Sequence, residues 1–169
     1  MPQIGLIVGM DPNGIIGADG GLPWKISADL KRFKATTMDG TIIVGSKTYL
    51  SMPAKLPGRN IIVVTREPST RKDLQDREPA AICKTVREAI EKAKTLPGDI
   101  WVGGGSFIYA EALKKRLVDV LDVTMVPVVD ESNFTVITRF PIWFISDFRM
   151  VKEEANPDDP QLTQRRYER

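Results

Sequence analysis

The sequence predicts a single α/β domain: a mostly parallel, twisted sheet with an antiparallel C-terminal edge, flanked by about four helices. Two observations carry that expectation. Apolar runs of strand length alternate with stretches of helical spacing, the pattern of strand–helix–strand units. Several of these runs are apolar throughout, as strands covered on both faces are. The 169 residues suit one domain with a substantial core, and residues 1–169 contain neither a repeat nor a linker.

The elements follow in order. Ile4 to Met10 is an apolar run bounded by Asp-Pro-Asn-Gly and reads as a buried strand entering a turn. Ser27 is placed to cap a helix ending near Asp39-Gly40, with Leu30, Phe33 and Ala35 on or beside its inward side. Thr41 to Gly45 and Asn60 to Thr65 are the next strands. Thr85-Val-Arg-Glu88 is a capping box opening a helix with Val86, Ala89, Ile90 and Ala93 on one side. Asp99 to Val102 is a short strand, and Gly105 to Arg116 a helix whose Lys114-Lys115-Arg116 end suits the dipole. Val118 to Val129 and the terminal third read as further strands, with Ala155 to Pro160 a hairpin loop.

Composition removes whole classes of chemistry. With no histidine, Ser-His-Asp catalysis, histidine acid–base work and the commonest zinc sites are excluded. Proton handling falls to a carboxylate, a tyrosine, a lysine, water or the substrate. Cys83 stands alone, so there is neither an internal disulfide nor a thiolate cluster. The acidic pairs Asp130-Glu131 and Asp158-Asp159 lie in polar loop sequence and read as solvated turns, so no metal is expected. A net charge of +2 without a basic stripe argues against nucleic acid as a partner. No apolar run approaches a membrane span, and MPQIGLIVGM lacks the marks of a signal peptide, so a cytoplasmic location is expected. The absence of a sustained heptad or a spare apolar face points to a monomer.

Three segments carry the chemistry. Gly17 to Thr37 places one carboxylate, Asp29, on the first turn of a helix among apolar neighbours, directly after a Gly-rich loop. The helix N-terminus favours the carboxylate and an apolar pocket disfavours it; the pocket is expected to win modestly. Gly103-Gly104-Gly105 follows a strand and opens a helix, which lets backbone N–H groups approach an anion; tight packing explains the run equally well. It is no dinucleotide fingerprint, because Ile108 stands where the third glycine would fall. Gly40 to Thr48 imitates a P-loop, but Lys47 comes one position late and the intervening TIIV is strand-like. The hydroxyl and N–H groups of Ser46, Lys47 and Thr48 still suit a phosphate. Two such strand-to-helix turns fit the two phosphate-bearing halves of a dinucleotide.

An ordered set of blocks resembles dihydrofolate reductase. It comprises Leu22-Pro23-Trp24, Asp29-Leu30-Lys31-Arg32-Phe33-Lys34, Gly45-Ser46-Lys47-Thr48-Tyr49, Ser51-Met52-Pro53, Leu56-Pro57-Gly58-Arg59-Asn60, Gly104-Gly105 with Tyr109, Thr124 and Thr138-Arg139-Phe140-Pro141. The resemblance implies an oxidoreductase of one-carbon metabolism, transferring hydride from NADPH to C6 of dihydrofolate and open to antifolate inhibitors. It implies that Asp29 orients the pterin and promotes protonation of N5 by water, with Leu22 and Trp24 in the lid and Thr124 supporting the acid and the pterin amino group. Ile7, Leu22, Phe33, Ser51 and Met52 would line the folate slot, and Arg59 would pair with the glutamate α-carboxylate. For the cofactor, Gly9 and Ile16 would meet the nicotinamide under the lid Gly17 to Gly21, Gly20 included. Ser46, Lys47, Thr48, Val64, Thr65, Arg66 and Lys84 would serve the phosphates and adenosine. Gly104, Gly105, Ser106 and Phe107 would cradle the pyrophosphate, with Gly103, Ile108 and Tyr109 also in the cofactor site.

Three departures from the family's pattern carry expectations of their own. Ser46 stands where a basic residue commonly meets the 2′-phosphate, leaving that task to Lys47 and Arg66. Gly103 replaces a branched apolar residue, which predicts a looser wall beside the nicotinamide. Ile137 replaces an acidic lid support, which predicts a lid held weakly or differently. Two other readings share these residues: an NADPH-dependent pyrimidine reductase of riboflavin synthesis, and a folate- or nucleotide-binding protein without turnover.

Overall fold

Strands that are apolar throughout have to be covered on both sides, and the computed structural model, which describes residues 2–53 and 55–169, shows how. Ten strands form: β1 (Ile4–Met10), β2 (Ile15–Ala18), β3 (Thr41–Gly45), β4 (Asn60–Val64), β5 (Ala81–Cys83), β6 (Ile100–Val102), β7 (Val120–Met125), β8 (Ile137–Arg139), β9 (Arg149–Ala155) and β10 (Thr163–Glu168). Eight build one sheet in the order β5-β4-β3-β6-β1-β7-β10-β9. The first six of that order run parallel, and β10 and β9 close the edge antiparallel. The expected sheet is therefore present, hairpin edge included.

The helices are α1 (Ser27–Thr37), α2 (Ser46–Ser51), the single turn α3 (Lys72–Gln75), α4 (Val86–Ala93) and α5 (Ser106–Lys114). Alternate residues of β3 feed opposite faces of the sheet. Ile43 joins the cluster built by α4 and α5, whereas Ile42 and Val44 join one with Tyr49, Val63 and Leu74 against which Phe33 and Met52 pack. Gly5 makes room for the indole of Trp101, since a Cβ there would lie 2.5 Å from Trp101 Cζ3. The outermost strand β9 is exposed at every residue and carries Arg149, Lys152, Glu153 and Glu154, charges that discourage pairing with another chain.

Three sequence expectations need correction, and one element escaped the sequence reading. Ser27 is the first helical residue and caps nothing; Ile26 precedes it with no side-chain hydrogen bond. Packing takes over that task, because Trp24, Ile26 and Ala28 sit against Val126 and Leu162. Leu30 is 62% exposed and Ala35 is also exposed, so neither faces the core. The helix stops at Thr37, whose hydroxyl donates to the Phe33 carbonyl (2.8 Å), ahead of Asp39 in the left-handed region (φ 63°). The antiparallel ribbon β2–β8, at four and three residues, is too short to leave a sequence period.

Candidate active site

Asp29 is half-buried on the first turn of α1, at the carboxyl end of β1. Its Oδ2 accepts a hydrogen bond from Trp24 Nε1 (2.9 Å). Burial pushes the Asp29 carboxyl above its ordinary value, and the indole bond only partly opposes it, so the pocket outweighs the stabilising groups as expected. Gly9 brings the strand up to the acid: a Cβ there would lie 3.4 Å from Asp29 Oδ1 and from Trp24 Cζ2. Thr124 is paired with Gly9 in the sheet and is buried, so it borders the same space. Its hydroxyl bonds to Gln164 Oε1 (2.8 Å), a partner the sequence reading did not foresee.

The neighbouring wall is held by Tyr109. Its buried phenol donates to the Ile7 carbonyl (2.8 Å), and burial, with the Asp29 charge nearby, raises its pKa far above the ordinary phenol value. Phe33 and Met52 are half-buried side by side against one cluster, and Ile7 is buried on β1. Ser51 is exposed and turns its hydroxyl back to the Thr48 carbonyl (2.8 Å). Arg59 anchors its Nε on the Pro57 carbonyl (3.2 Å), its Nη1 lies 3.5 Å from Thr37 Oγ1, and none of the ion pairs among the described residues uses it. A guanidinium fork held by its neck in this way remains available to a carboxylate.

The segment expected to form the lid is a hairpin turn. Ala18 and Gly21 exchange both backbone bonds (2.8 and 3.0 Å), with Asp19 and Gly20 at positive φ, the Asp-Gly signature of such turns. Asp19 Oδ1 accepts from the N–H groups of Thr135 (3.0 Å) and Val136 (2.7 Å). At the other end of β2, buried Asp11 accepts from Asn13 (3.0 Å), Ile15 (2.8 Å) and Val129 (3.1 Å). Where Ile137 offers no carboxylate, Asp11 and Asp19 on the β2 side reach the opposite backbone at Val129, Thr135 and Val136. Leu22 is 52% exposed at the mouth of the cleft, while Ile16 and Gly17 remain half-buried on β2.

The two strand-to-helix turns lie side by side. Gly45 N–H donates to the Gly104 carbonyl (2.8 Å), and a Cβ on Gly105 would lie 3.3 Å from Thr48 Oγ1. Gly104 has φ 111°, and a Cβ there would lie 3.1 Å from the Tyr109 hydroxyl, so a larger residue would be excluded. Gly105 precedes α5 without capping it through a side chain, which leaves the first N–H groups of a nine-residue helix open to an anion. Ser46 and Thr48 are half-buried and Lys47 is exposed beside them.

The remaining candidates separate by burial. Thr65 is half-buried, Arg66 and Lys84 are exposed, and Phe107 is 87% exposed at the α5 start. Val64, Ile108 and Tyr109 instead bury most of their side chains in the core. Gly103 opens no gap, because its Cβ position would lie 3.0 Å from Ile42 and 3.4 Å from Val44, whose methyls already close that wall. Arg77, absent from the sequence reading, caps α2 by donating to the carbonyls of Tyr49 and Met52, both at 2.7 Å. Arg71, also absent, holds Asp73 through two bonds (3.0 and 2.9 Å) and reaches within 3.5 Å of Thr65 Oγ1. Only its position beside Thr65 in space could have found it.

A family model for dihydrofolate reductase matches residues 3–169. A dihydrofolate reductase of Enterococcus faecium is 41% identical over 104 residues, 61% of this chain and 60% of that protein's length. One from Aedes albopictus is 30% identical over 177 residues, covering 95% of this chain and 91% of its own. Among solved structures, dihydrofolate reductase from Enterococcus faecalis complexed with NADP(H) and RAB-propyl superposes with a TM-score of 0.81 at 29% identity, covering 99% of this chain and 96% of that one.

Proposed function

The chain belongs to the dihydrofolate reductase family, and from that premise we propose that it reduces 7,8-dihydrofolate to 5,6,7,8-tetrahydrofolate with NADPH, using Asp29 as the acid of the site. The observation that carries this reading is a single half-buried carboxylate, held by an indole N–H, beside two adjoining strand-to-helix turns. NADPH supplies the hydride that reduces the C6–N5 imine.

The chain's own residues do the rest. Asp29 accepts hydrogen bonds from the pterin amino group and ring N3, which orients the ring and favours protonation at N5 by water. Thr124 meets the amino group, Ile7, Phe33 and Met52 form the apolar slot, and Arg59 takes the glutamate carboxylate. Gly104, Gly105 and Ser106 offer the α5 N-terminus to the pyrophosphate, with Lys47 and Thr48 across from them. Lys47 and Arg66 are the exposed cations for the 2′-phosphate in place of a basic residue at Ser46. The Asp19–Gly20 turn closes over the reacting ring and excludes bulk water, leaving room for the water that delivers the proton.

One domain, residues 1–169, carries the whole site, and the reading places the protein in the cytoplasm as a monomer. In support, among the described residues no helix is long and apolar enough to cross a membrane. Gel filtration showing a stable dimer would overturn the monomer.

The test is loss of NADPH absorbance on adding dihydrofolate, with Asp29→Asn alongside. The expected result is turnover in the wild type and a fall of about a hundredfold or more in the variant at neutral pH. Tight NADPH binding without turnover would instead support the binding-protein reading, and turnover of a riboflavin-pathway pyrimidine the other reductase.

A further inference from the structure

Beneath the proposed pterin site lies a polar strip of which the reaction, as read above, uses only Thr124. In the antiparallel pair β7–β10, Gln164 stands opposite Thr124 and Arg166 opposite Asp122, so all four side chains share one face. Asp122, Thr124 and Gln164 are 4%, 4% and 3% exposed. Helix α1 adds Arg32, whose Nη2 donates to Asp122 Oδ2 (2.8 Å), and Arg32, Asp122 and Gln164 line one cleft behind Thr124. A core position next to a ligand site would be filled more cheaply by an apolar residue, and this amide is kept there at a cost: its Oε1 is bonded, but its Nε2 has no hydrogen-bond partner among the described residues.

A threonine hydroxyl carries one hydrogen and two lone pairs. Here the hydrogen goes to Gln164 Oε1 (2.8 Å). The hydroxyl therefore has only lone pairs to turn elsewhere, toward the space it shares with Gly9 and the Asp29 carboxylate. Two acceptors side by side welcome a ring bearing N–H groups and reject one presenting a carbonyl. With the amide gone, the hydroxyl is free to rotate and donate, and the distinction weakens.

We propose that Gln164 sets substrate selectivity as a positioning residue: from beneath the site, without touching the ligand, it fixes the Thr124 hydroxyl as an acceptor for the exocyclic amino group of the substrate or inhibitor ring. The inference rests on the reductase reading above.

The experiment compares two probes, a 5-benzyl-2,4-diaminopyrimidine and the same molecule lacking its 2-amino group, by inhibition constants on the full-length protein. Gln164→Met removes the acceptor at nearly constant length; Gln164→Glu keeps it. Gln164→Met should reduce the preference for the 2-amino compound by about five- to tenfold, the worth of one hydrogen bond. It should raise KM for dihydrofolate in the same proportion while kcat stays within about twofold. Gln164→Glu should retain the wild-type preference. In a Thr124→Val background, Gln164→Met should not change the preference further, because the hydroxyl it positions is gone. An unchanged preference in Gln164→Met, an equal loss in Gln164→Glu, or a further loss in the Thr124→Val background would each overturn the proposal while leaving the reductase reading intact. Absence of dihydrofolate turnover in the wild type would overturn that reading instead. Should Gln164→Met fail to fold, Gln164→Glu alone decides: loss of preference refutes the acceptor role and retention supports it.

Discussion

Helices α1 and α4 are built on opposite plans. α4 has its cap, with Glu88 N–H donating to Thr85 Oγ1 (3.1 Å) and Glu88 Oε2 accepting from Lys84 N–H (3.0 Å), and it buries Val86, Ala89, Ile90 and Ala93. α1 has no side-chain cap, buries only Ala28 and Thr37, and leaves Leu30 exposed beside a half-buried carboxylate. One helix satisfies local rules and holds the sheet; the other sets them aside where the proposed pterin site lies. Where local preferences and the observed structure part, the departure marks the site.

The sharpest way to break this contrast is Asp29→Asn. Turnover should fall by about a hundredfold or more, yet the melting temperature should hold or rise, because Asn keeps an oxygen for Trp24 Nε1 and removes a poorly solvated charge. A matching fall in stability would make Asp29 structural and erase the difference between the helices. Ile90→Ala on α4 should do the reverse: about 2–4 kcal/mol of stability lost by denaturant titration, with kcat unchanged.

Asp19→Ala sharpens the comparison by testing an element with almost no core. It removes the acceptor for two exposed N–H groups, so KM for NADPH should rise about fivefold, near the value of one hydrogen bond, with little change in melting temperature. Unchanged KM would mean that the β2–β8 pairing alone holds the lid. Thr85→Ala should cost about 1 kcal/mol of stability and nothing in turnover.

The smallest effect is in the pH dependence of folding. Burial raises the folded-state pKa of Asp29 above 3.8, so between that value and the raised one the native state binds more protons than the unfolded chain. Stability contributed by this group therefore falls as pH rises through the window and is lowest above it. The gain from Asp29→Asn should accordingly be full above the window and vanish below pH 3.8. A gain that persists at low pH would assign it to packing.

Legibility in the sequence follows the same division. α4 was readable to the residue because its signals lie within one turn: the Thr85–Glu88 box and four apolar positions at helical spacing. The strands buried on both faces announce themselves by unbroken apolar runs. Asp29 was readable through its neighbours and its ordered company of motifs. The direction of Leu30 was not, since a helical period says which residues share a side and not whether that side meets core or cleft. The lid ribbon was hidden because the bonds of Asp19 reach across 116 and 117 positions. Asp122 and Gln164 were hidden because polar residues in late strands look like a solvated edge until the pairing of β7 with β10 puts them on one face, where Arg32 of α1 reaches Asp122.

The two carboxylates that hold the lid, Asp11 and Asp19, accept only from main-chain amides, at Asn13, Ile15, Val129, Thr135 and Val136. Every amino acid except proline carries that donor. The exposed side chains at Asn13, Thr135 and Val136 can therefore drift over generations without loosening these bonds, while the grip itself hangs on two residues. Heredity is strict on one side of the clasp and nearly indifferent on the other, so a lineage can remodel the outer loop under selection by drugs or temperature and still keep its lid.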